Sequence, residues 1–328
     1  MISRMLQSTQ GHQSSRLGQY RRRCKPLFAA LVGIVTVGLF SAACGDPDRA
    51  TNLGRPDREA SANAVETGAI TSLTLTANPS RDATVQQKQL QTLAAYLQER
   101  VGIPVQIKIA KTYEQTVDLL VEEKADLASL GVFSYLQARD RNPQLEPLVV
   151  PIAKSTGRPW YTSVIVARTD RGIKTLEDLK GKRFGFLSRS STSGFLVPSA
   201  YFQKVGINPK QDFGRIEYSG GHDRSVKLLA AGIVDAIATD KQTYLRESKA
   251  GRLTAENHRI IWESDPIPNG PIVVSPNLPE PLKIELKKAF LQTTAEFVDA
   301  NGAEASGYSI AEDSDYDTIR RLKAILRL

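Results

Sequence analysis

Between Leu73 and Asp240 the apolar residues switch back and forth between a two-residue and a 3.6-residue period, which restricts the chain to an α/β architecture. Leu73-Thr74-Leu75-Thr76-Ala77 alternates as a strand. Leu90, Leu93, Ala94, Leu97 and Val101 then share a helical face within Gln86–Val101, closed by Gly102. Val105, Ile107 and Ile109 alternate again, a helix is expected around Thr116–Glu123, and Leu127–Leu130 reads as a third strand. Lys182–Leu187 reads as a buried strand leading to a helix over Ala200–Val205, stopped at Gly206. Strands separated by helices imply mostly parallel pairing with helices on both sheet faces.

An internal echo points to two such lobes. Leu119-Leu120-Val121-Glu122-Glu123-Lys124-Ala125-Asp126 parallels Leu228-Leu229-Ala230-Ala231-Gly232-Ile233-Val234-Asp235, and a short apolar strand follows each. The strand ends, at Leu130-Gly131 and Ala238-Thr239-Asp240, are expected to face a shared cleft, because ligands of open α/β sheets collect at the carboxyl ends of strands.

Ser190-Ser191-Thr192-Ser193-Gly194 lies on that side, between strand and helix. Such a loop offers hydroxyl donors and free backbone N–H groups at the positive end of a helix, which suits a tetrahedral oxyanion. Pro198 fits best in the first helical turn, so the loop precedes the regular helix. The plain alternative is an ordinary Ser/Thr helix cap.

The basic charge of the whole chain, +8 with a pI near 9.4, suggests nucleic acid until its location is considered. Residues 1–43 carry six basic residues (Arg4, Arg16, Arg21, Arg22, Arg23 and Lys25) and no acidic ones, so the remainder carries +8 − 6 = +2. Those residues precede a 14-residue apolar run, Leu27–Phe40, too short for a confident membrane span. Ser41-Ala42-Ala43-Cys44 follows and resembles the lipobox of bacterial lipoproteins, where the cysteine becomes the lipidated N-terminus. Residues 1–43 are therefore read as an export signal, Cys44 as the lipid site and residues 44–70 as a flexible tether. The folded body contains no cysteine, hence no disulfide or thiolate metal site, and nucleic acid is not an expected partner.

The lipidation signal, the two lobes and Ser191-Thr192-Ser193-Gly194-Phe195-Leu196-Val197-Pro198 together resemble the phosphate/phosphite/phosphonate solute-binding proteins of ABC transporters; so does Ser219-Gly220-Gly221-His222-Asp223. The resemblance covers roughly residues 72–300. It implies a bilobal type II periplasmic-binding-protein fold with two α/β lobes and a two-segment hinge, lobe one from residues 73–160 and 266–328 and lobe two from 161–265. It also implies no enzyme activity and no cofactor. The implied product is a monomer, anchored by lipid outside the cytoplasmic membrane, that hands a small phosphorus oxyanion to an ABC permease with its ATPase. By resemblance Ser191, Thr192 and Ser193 hold the anion's oxygens, His222 adds a donor, and Tyr113 and Tyr161 contribute phenols or merely pack.

The departures from the family pattern bear on the ligand. Aminoalkylphosphonate binders clamp the ammonium with two carboxylates, and those positions fall at Gln242 and Gly270, with Asp240 and Asp265 nearby. A buried ammonium without a carboxylate costs too much desolvation. Phosphite, methylphosphonate or phosphate is therefore the expected ligand. A sensing domain without transport is the alternative. A serine hydrolase built from Ser191 or Ser193, His222 and Asp240 or Asp265 is less favoured, since no G-x-S-x-G elbow is present.

Overall fold

The computed structural model describes residues 70–293 and 297–328; the leader, Cys44 and the tether up to residue 69 lie outside the described residues. The first segment runs β1 (Leu73–Ala77), α1 (Ala83–Val101), β2 (Val105–Ile107), α2 (Tyr113–Val121), β3 (Leu127–Ser129), α3 (Val132–Arg141) and β4 (Glu146–Ala153). After β5 (Trp160–Tyr161) come β6 (Ser163–Arg168), β7 (Arg183–Phe186), α4 (Val197–Lys204), α5 (Pro209–Asp212), β8 (Arg215–Tyr218), α6 (His222–Ala230), β9 (Ala236–Asp240), α7 (Lys241–Lys249) and β10 (His258–Glu263). The chain returns through β11 (Ile267–Pro268) to β12 (Ile272–Val274), α8 (Glu280–Leu291), β13 (Phe297–Val298), β14 (Glu304–Ile310) and α9 (Asp317–Ile325).

Two mixed sheets result. One has seven strands in the order β13-β14-β4-β12-β3-β1-β2, the other five in the order β10-β6-β9-β7-β8. In each, the strands joined by helical crossovers pair in parallel: β2-β1-β3 and β9-β7-β8. The other pairings of both sheets are antiparallel. The chain crosses between the sheets twice, and the two crossing segments, β5 and β11, pair antiparallel with each other.

The echoed aspartates do the same job in both sheets. Asp126 accepts the Thr74 N–H at the start of β1 (2.7 Å), and the Asp126 N–H donates to Thr74 O. Asp235 accepts the Arg183 N–H at the start of β7 (2.8 Å), and its N–H donates to Arg183 O. Each carboxylate thus takes a strand-opening amide that no ladder partner would satisfy.

Helix starts follow capping side chains and not the first apolar residue. Asp82 accepts from Thr84 N and opens α1 at Ala83, and Thr112 accepts from Gln115 N and opens α2 at Tyr113; both helices begin three residues before the starts expected at Gln86 and Thr116. Leu90, Ala94 and Leu97 of α1 pack with Leu282, Leu286 and Phe290 of α8 behind the seven-stranded sheet. Phe184, Phe186 and Phe202 centre the other core, each buried ring worth about 1.5–3 kcal/mol. Tyr316 and Ile319 of the C-terminal segment join that core to the one around α3, with Tyr316 edge-on to Tyr135 at 5.1 Å.

Candidate functional site

After β7 the chain loops back and enters a wide turn, Thr192–Leu196, in which the Val197 N–H reaches Thr192 O before α4 begins. Pro198 sits in the first turn of α4, as its missing N–H requires. Ser191 Oγ accepts the Gly194 N–H (3.1 Å), and Leu187 N–H donates to Gly194 O. A Cβ on residue 194 would overlap Leu187 and stand 2.9 Å from Ser191 Oγ, so the turn closes only around glycine.

The loop is tied to both sheets. Ser163 of β6 donates to Ser193 O (2.7 Å). From the other side the Phe133 N–H of α3 donates to Thr192 Oγ1 (3.0 Å), and Ser134 donates to Ser190 O (2.9 Å). The hydroxyls of Ser188 and Ser190 donate to Glu114 at 3.0 and 3.1 Å. Thr192 is therefore no free loop residue: its oxygen is already an acceptor, which leaves its hydrogen to donate elsewhere.

Ser191, Thr192, Ser193, His222, Tyr113 and Tyr161 all line one cavity of about 80 Å³. Tyr113 is the first residue of α2 and His222 the first of α6, while Gly131 caps α3 and Asp240 caps α7. Gly131 and Asp240 line the same space, so four helices aim their positive ends at it. Burial pushes the Tyr113 phenol up, reinforced by Tyr161, Asp240 and Glu114. Burial also raises Tyr161, partly offset by hydrogen bonding with Ser193 and Thr192. Both phenols stay protonated donors.

His222 is used differently from a simple anion donor. Its Nδ1 lies 2.7 Å from Thr239 Oγ1 and 3.1 Å from Asp240 Oδ2. Burial holds the imidazole below its usual pKa although Asp240 pulls it upward. Burial alone would raise Asp240, but His222, the Thr243 N–H and hydroxyl, and Arg246 outweigh it and keep the carboxylate ionised. Asp223, the second residue of α6, takes Arg81 Nε (3.0 Å) and the Asp82 N–H (3.0 Å) on one oxygen and Arg246 Nη2 (2.8 Å) on the other. With the His222 N–H donating to Ser80 O (2.9 Å), these contacts fasten α6 to the loop after β1.

No sequence pattern singles out Asn78, which follows β1 as the serine loop follows β7. Its Oδ1 accepts the Gly131 N–H (2.7 Å), which fixes the amide orientation, and its Nδ2 is buried at the cavity without a partner. Asp299 also lines the cavity; burial pushes it up to about 6, against the pull of the Ala303 and Asn301 N–H groups. Gln242 lines the cavity with Oε1 buried and unpartnered. Gly270 does too, but any side chain there would drive its Cβ into the Leu130 carbonyl, so residue 270 cannot present a carboxylate in this backbone. Asp265 is exposed and is not among the lining residues.

Residues 75–316 match the family model for the periplasmic substrate-binding protein of phosphonate ABC transporters. The chain belongs to that family. Its members are substrate-binding proteins, not enzymes, and they work with a permease and an ATPase. The chain is 27% identical to the phosphate-import protein PhnD of Mycolicibacterium smegmatis over 306 residues, 87% of this chain and 92% of that one. It is 31% identical to the phosphonates-binding periplasmic protein of Escherichia coli K12 over 201 residues, 60% of this chain and 58% of that one. Its fold matches that of PhnD1 from Prochlorococcus marinus in complex with methylphosphonate, with a TM-score of 0.70 at 23% identity, covering 78% of this chain and 98% of that one.

Proposed function

We propose that this member of the family captures a small phosphorus oxyanion without a cationic tail, namely phosphite, methylphosphonate or phosphate, and that Ser191, Thr192, Ser193, His222, Tyr113 and Tyr161 bind it together with Asn78. The observation that carries the reading is the convergence of four helix N-termini and uncharged donors on one small cavity between the two sheets. Such donors, fixed before the anion arrives, replace its hydration, and the guanidinium among the lining residues, Arg246, is already engaged by Asp223 and Glu247. A relative that imports phosphate and a structural neighbour in complex with methylphosphonate agree with this ligand class.

Two features argue against an aminoalkyl tail. Gln242 is neutral, and residue 270 has no room for a side chain. Of the two carboxylates that line the cavity, Asp299 is buried and raised to about 6, and Asp240 lies at the oxyanion end: it is opposite Ser163 across β6 and β9, and Ser163 holds Ser193. Lobe one (residues 73–160 and 266–328) and lobe two (161–265) close over the anion about the β5–β11 crossing, excluding water and strengthening each donor contact. The protein works as a monomer exported by residues 1–43, held by lipid on Cys44 and spaced from the membrane by residues 44–70. Cys44→Ala should release it from membranes, and a wild-type protein already free of membranes would refute the anchor.

Calorimetry against phosphite, methylphosphonate, phosphate, sulfate and 2-aminoethylphosphonate tests the ligand. At least one of the first three should bind with Kd below about 100 µM, roughly −5.5 kcal/mol. Binding of none of them, or tighter binding of 2-aminoethylphosphonate, would overturn the reading.

A further inference from the structure

We infer that Asp240 makes this site select oxyanions that still carry a proton on one oxygen, such as hydrogen phosphonates and hydrogen phosphate, over tetrahedral anions that never do, such as sulfates and sulfonates. The inference rests on the phosphorus-oxyanion reading and sharpens it to a protonation state.

The geometry sets an acceptor among donors. Asp240 Oδ1 accepts only the Thr243 N–H (2.6 Å), while Oδ2 takes the Thr243 hydroxyl (2.7 Å) and lies 3.1 Å from His222 Nδ1. A carboxylate offers about four lone-pair sites, so one remains open on Oδ1. A second acceptor, Gln242 Oε1, lies two residues further along the same helix N-terminus, buried and without a partner. Both residues line the cavity whose other walls present hydroxyl and amide donors, together with Arg246 and the raised carboxyl of Asp299. Asp240 is placed at the oxyanion end, because both Tyr113 and Tyr161 feel its charge and Tyr161 is hydrogen-bonded with Ser193 and Thr192.

A fully deprotonated anion in this cavity meets an ionised carboxylate with no proton between them, and it leaves the acceptors unpaired. An anion with one P–O–H turns the same carboxylate into a hydrogen-bond partner, and its remaining oxygens still take the donors. The groups facing Asp240 from packed elements are His222 of α6, Arg246 and Thr243 of α7, Tyr161 of β5, Tyr113 of α2, and Asp299 before β14. Of these Asp299, pushed up to about 6, gains charge as pH rises, and His222 is held below its usual value. A loss of affinity that is steeper for methylphosphonate than for methanesulfonate, which has no second ionisation, is therefore assignable to the ligand's proton.

The test compares methylphosphonate with its isostere methanesulfonate, which has the same shape and one proton fewer, by calorimetry on wild type and Asp240→Asn. Asparagine retains the helix-capping oxygen, and thermal melts check that the variant folds. Wild type should favour methylphosphonate strongly, and Asp240→Asn should narrow that preference by about tenfold to a hundredfold, mostly through gained methanesulfonate binding. Wild-type affinity for methylphosphonate should also fall as pH rises through the ligand's second ionisation, a readout that needs no variant. An unchanged preference in a folded Asp240→Asn protein, or a flat wild-type profile across that ionisation, overturns the inference while leaving phosphorus-oxyanion binding intact. A wild type that binds no phosphorus oxyanion overturns both.

Discussion

Thr192→Val removes one hydroxyl while keeping shape, and on the proposed reading that hydroxyl has two jobs. Its oxygen takes the Phe133 N–H across the cleft, and its hydrogen, beside Tyr161 at the cavity wall, turns to the anion when one binds. Losing a hydrogen bond to a charged ligand costs about 1.5–3 kcal/mol, and leaving the Phe133 amide buried without an acceptor costs about 1–3 kcal/mol more. Together about 2.5–6 kcal/mol vanish from the closed, liganded state, which is roughly two to four decades of Kd. The ligand-free protein escapes most of this penalty if its lobes open, since water then satisfies the amide. Its Tm should move by no more than about 2–4 °C, the shift expected for 1 kcal/mol in a body of this size. Thr192→Ser keeps both hydrogen bonds and loses one methyl, so its Kd should rise less than about tenfold. Titrations with methylphosphonate, run beside thermal melts of both variants without ligand, separate the cases. A Thr192→Val protein that binds within threefold of wild type would show that the hydroxyl does not meet the anion. A Tm loss matching the full binding loss would make it a structural residue of a permanently closed body.

Two other perturbations read separate parts of the same arrangement. A Cβ at Gly221 would stand 2.8 Å from the Pro79 carbonyl oxygen across the cleft, beside the His222 N–H bond to Ser80. Gly221→Ala should hold the lobes apart and weaken ligand binding about tenfold or more without lowering the Tm of the ligand-free protein; small-angle scattering that shows full closure on adding ligand would refute this. Asp299 is raised from an ordinary 3.8 to about 6, so its folded form prefers the proton: its stability contribution is full below pH 4 and is lost as pH rises through 6. At 1.36 kcal/mol per unit, Asp299→Asn should recover about 3 kcal/mol at pH 7 and nothing at pH 4. Equal Tm changes at both pH values would remove the ionisation argument.

The parts of the fold legible in the sequence are those where one strong period governs a whole element. β1, α1 and β9 are buried on a fixed face or on both, so their apolar residues recur without interruption. The antiparallel half of the larger sheet leaves no such trace. β12 has three residues and β13 two, and the β4–β14 register shifts between Ala305 and Tyr308, where Gly307 stands at φ 144°. There an alternation count runs out of residues before it can reject other readings. Helix starts slipped for a related reason: Asp82 and Thr112 open α1 and α2 through polar caps, which carry no apolar signal.

The site divides along the same line between local and long-range causes. Ser191, Thr192 and Ser193 were legible because loop, turn and helix start lie within eight residues of one another, and the hydroxyls carry their chemistry with them. Asn78 was not, because an asparagine after a strand means nothing until the Gly131 N–H, 53 residues away, takes its oxygen and turns its amide nitrogen into the cavity. Asp240 stood in the sequence as a strand end facing the cleft, as an alternative clamp carboxylate two residues before Gln242 and as a member of the less favoured triad. At a helix N-terminus the cap and the second residue both face whatever lies beyond the helix end, so a slip of two along the sequence does not move a side chain out of the site. What decides its role is the partner set: His222, Thr239 and Thr243 engage the carboxylate or the imidazole beside it, and the β6–β9 register puts it next to the serine loop. On the proposed reading a carboxylate fixed at that end faces the anion and not an ammonium. It would then either repel the anion's charge or accept a hydrogen bond from its P–O–H, and for that reason the protonation state of the ligand, more than its tail, is the variable to measure first.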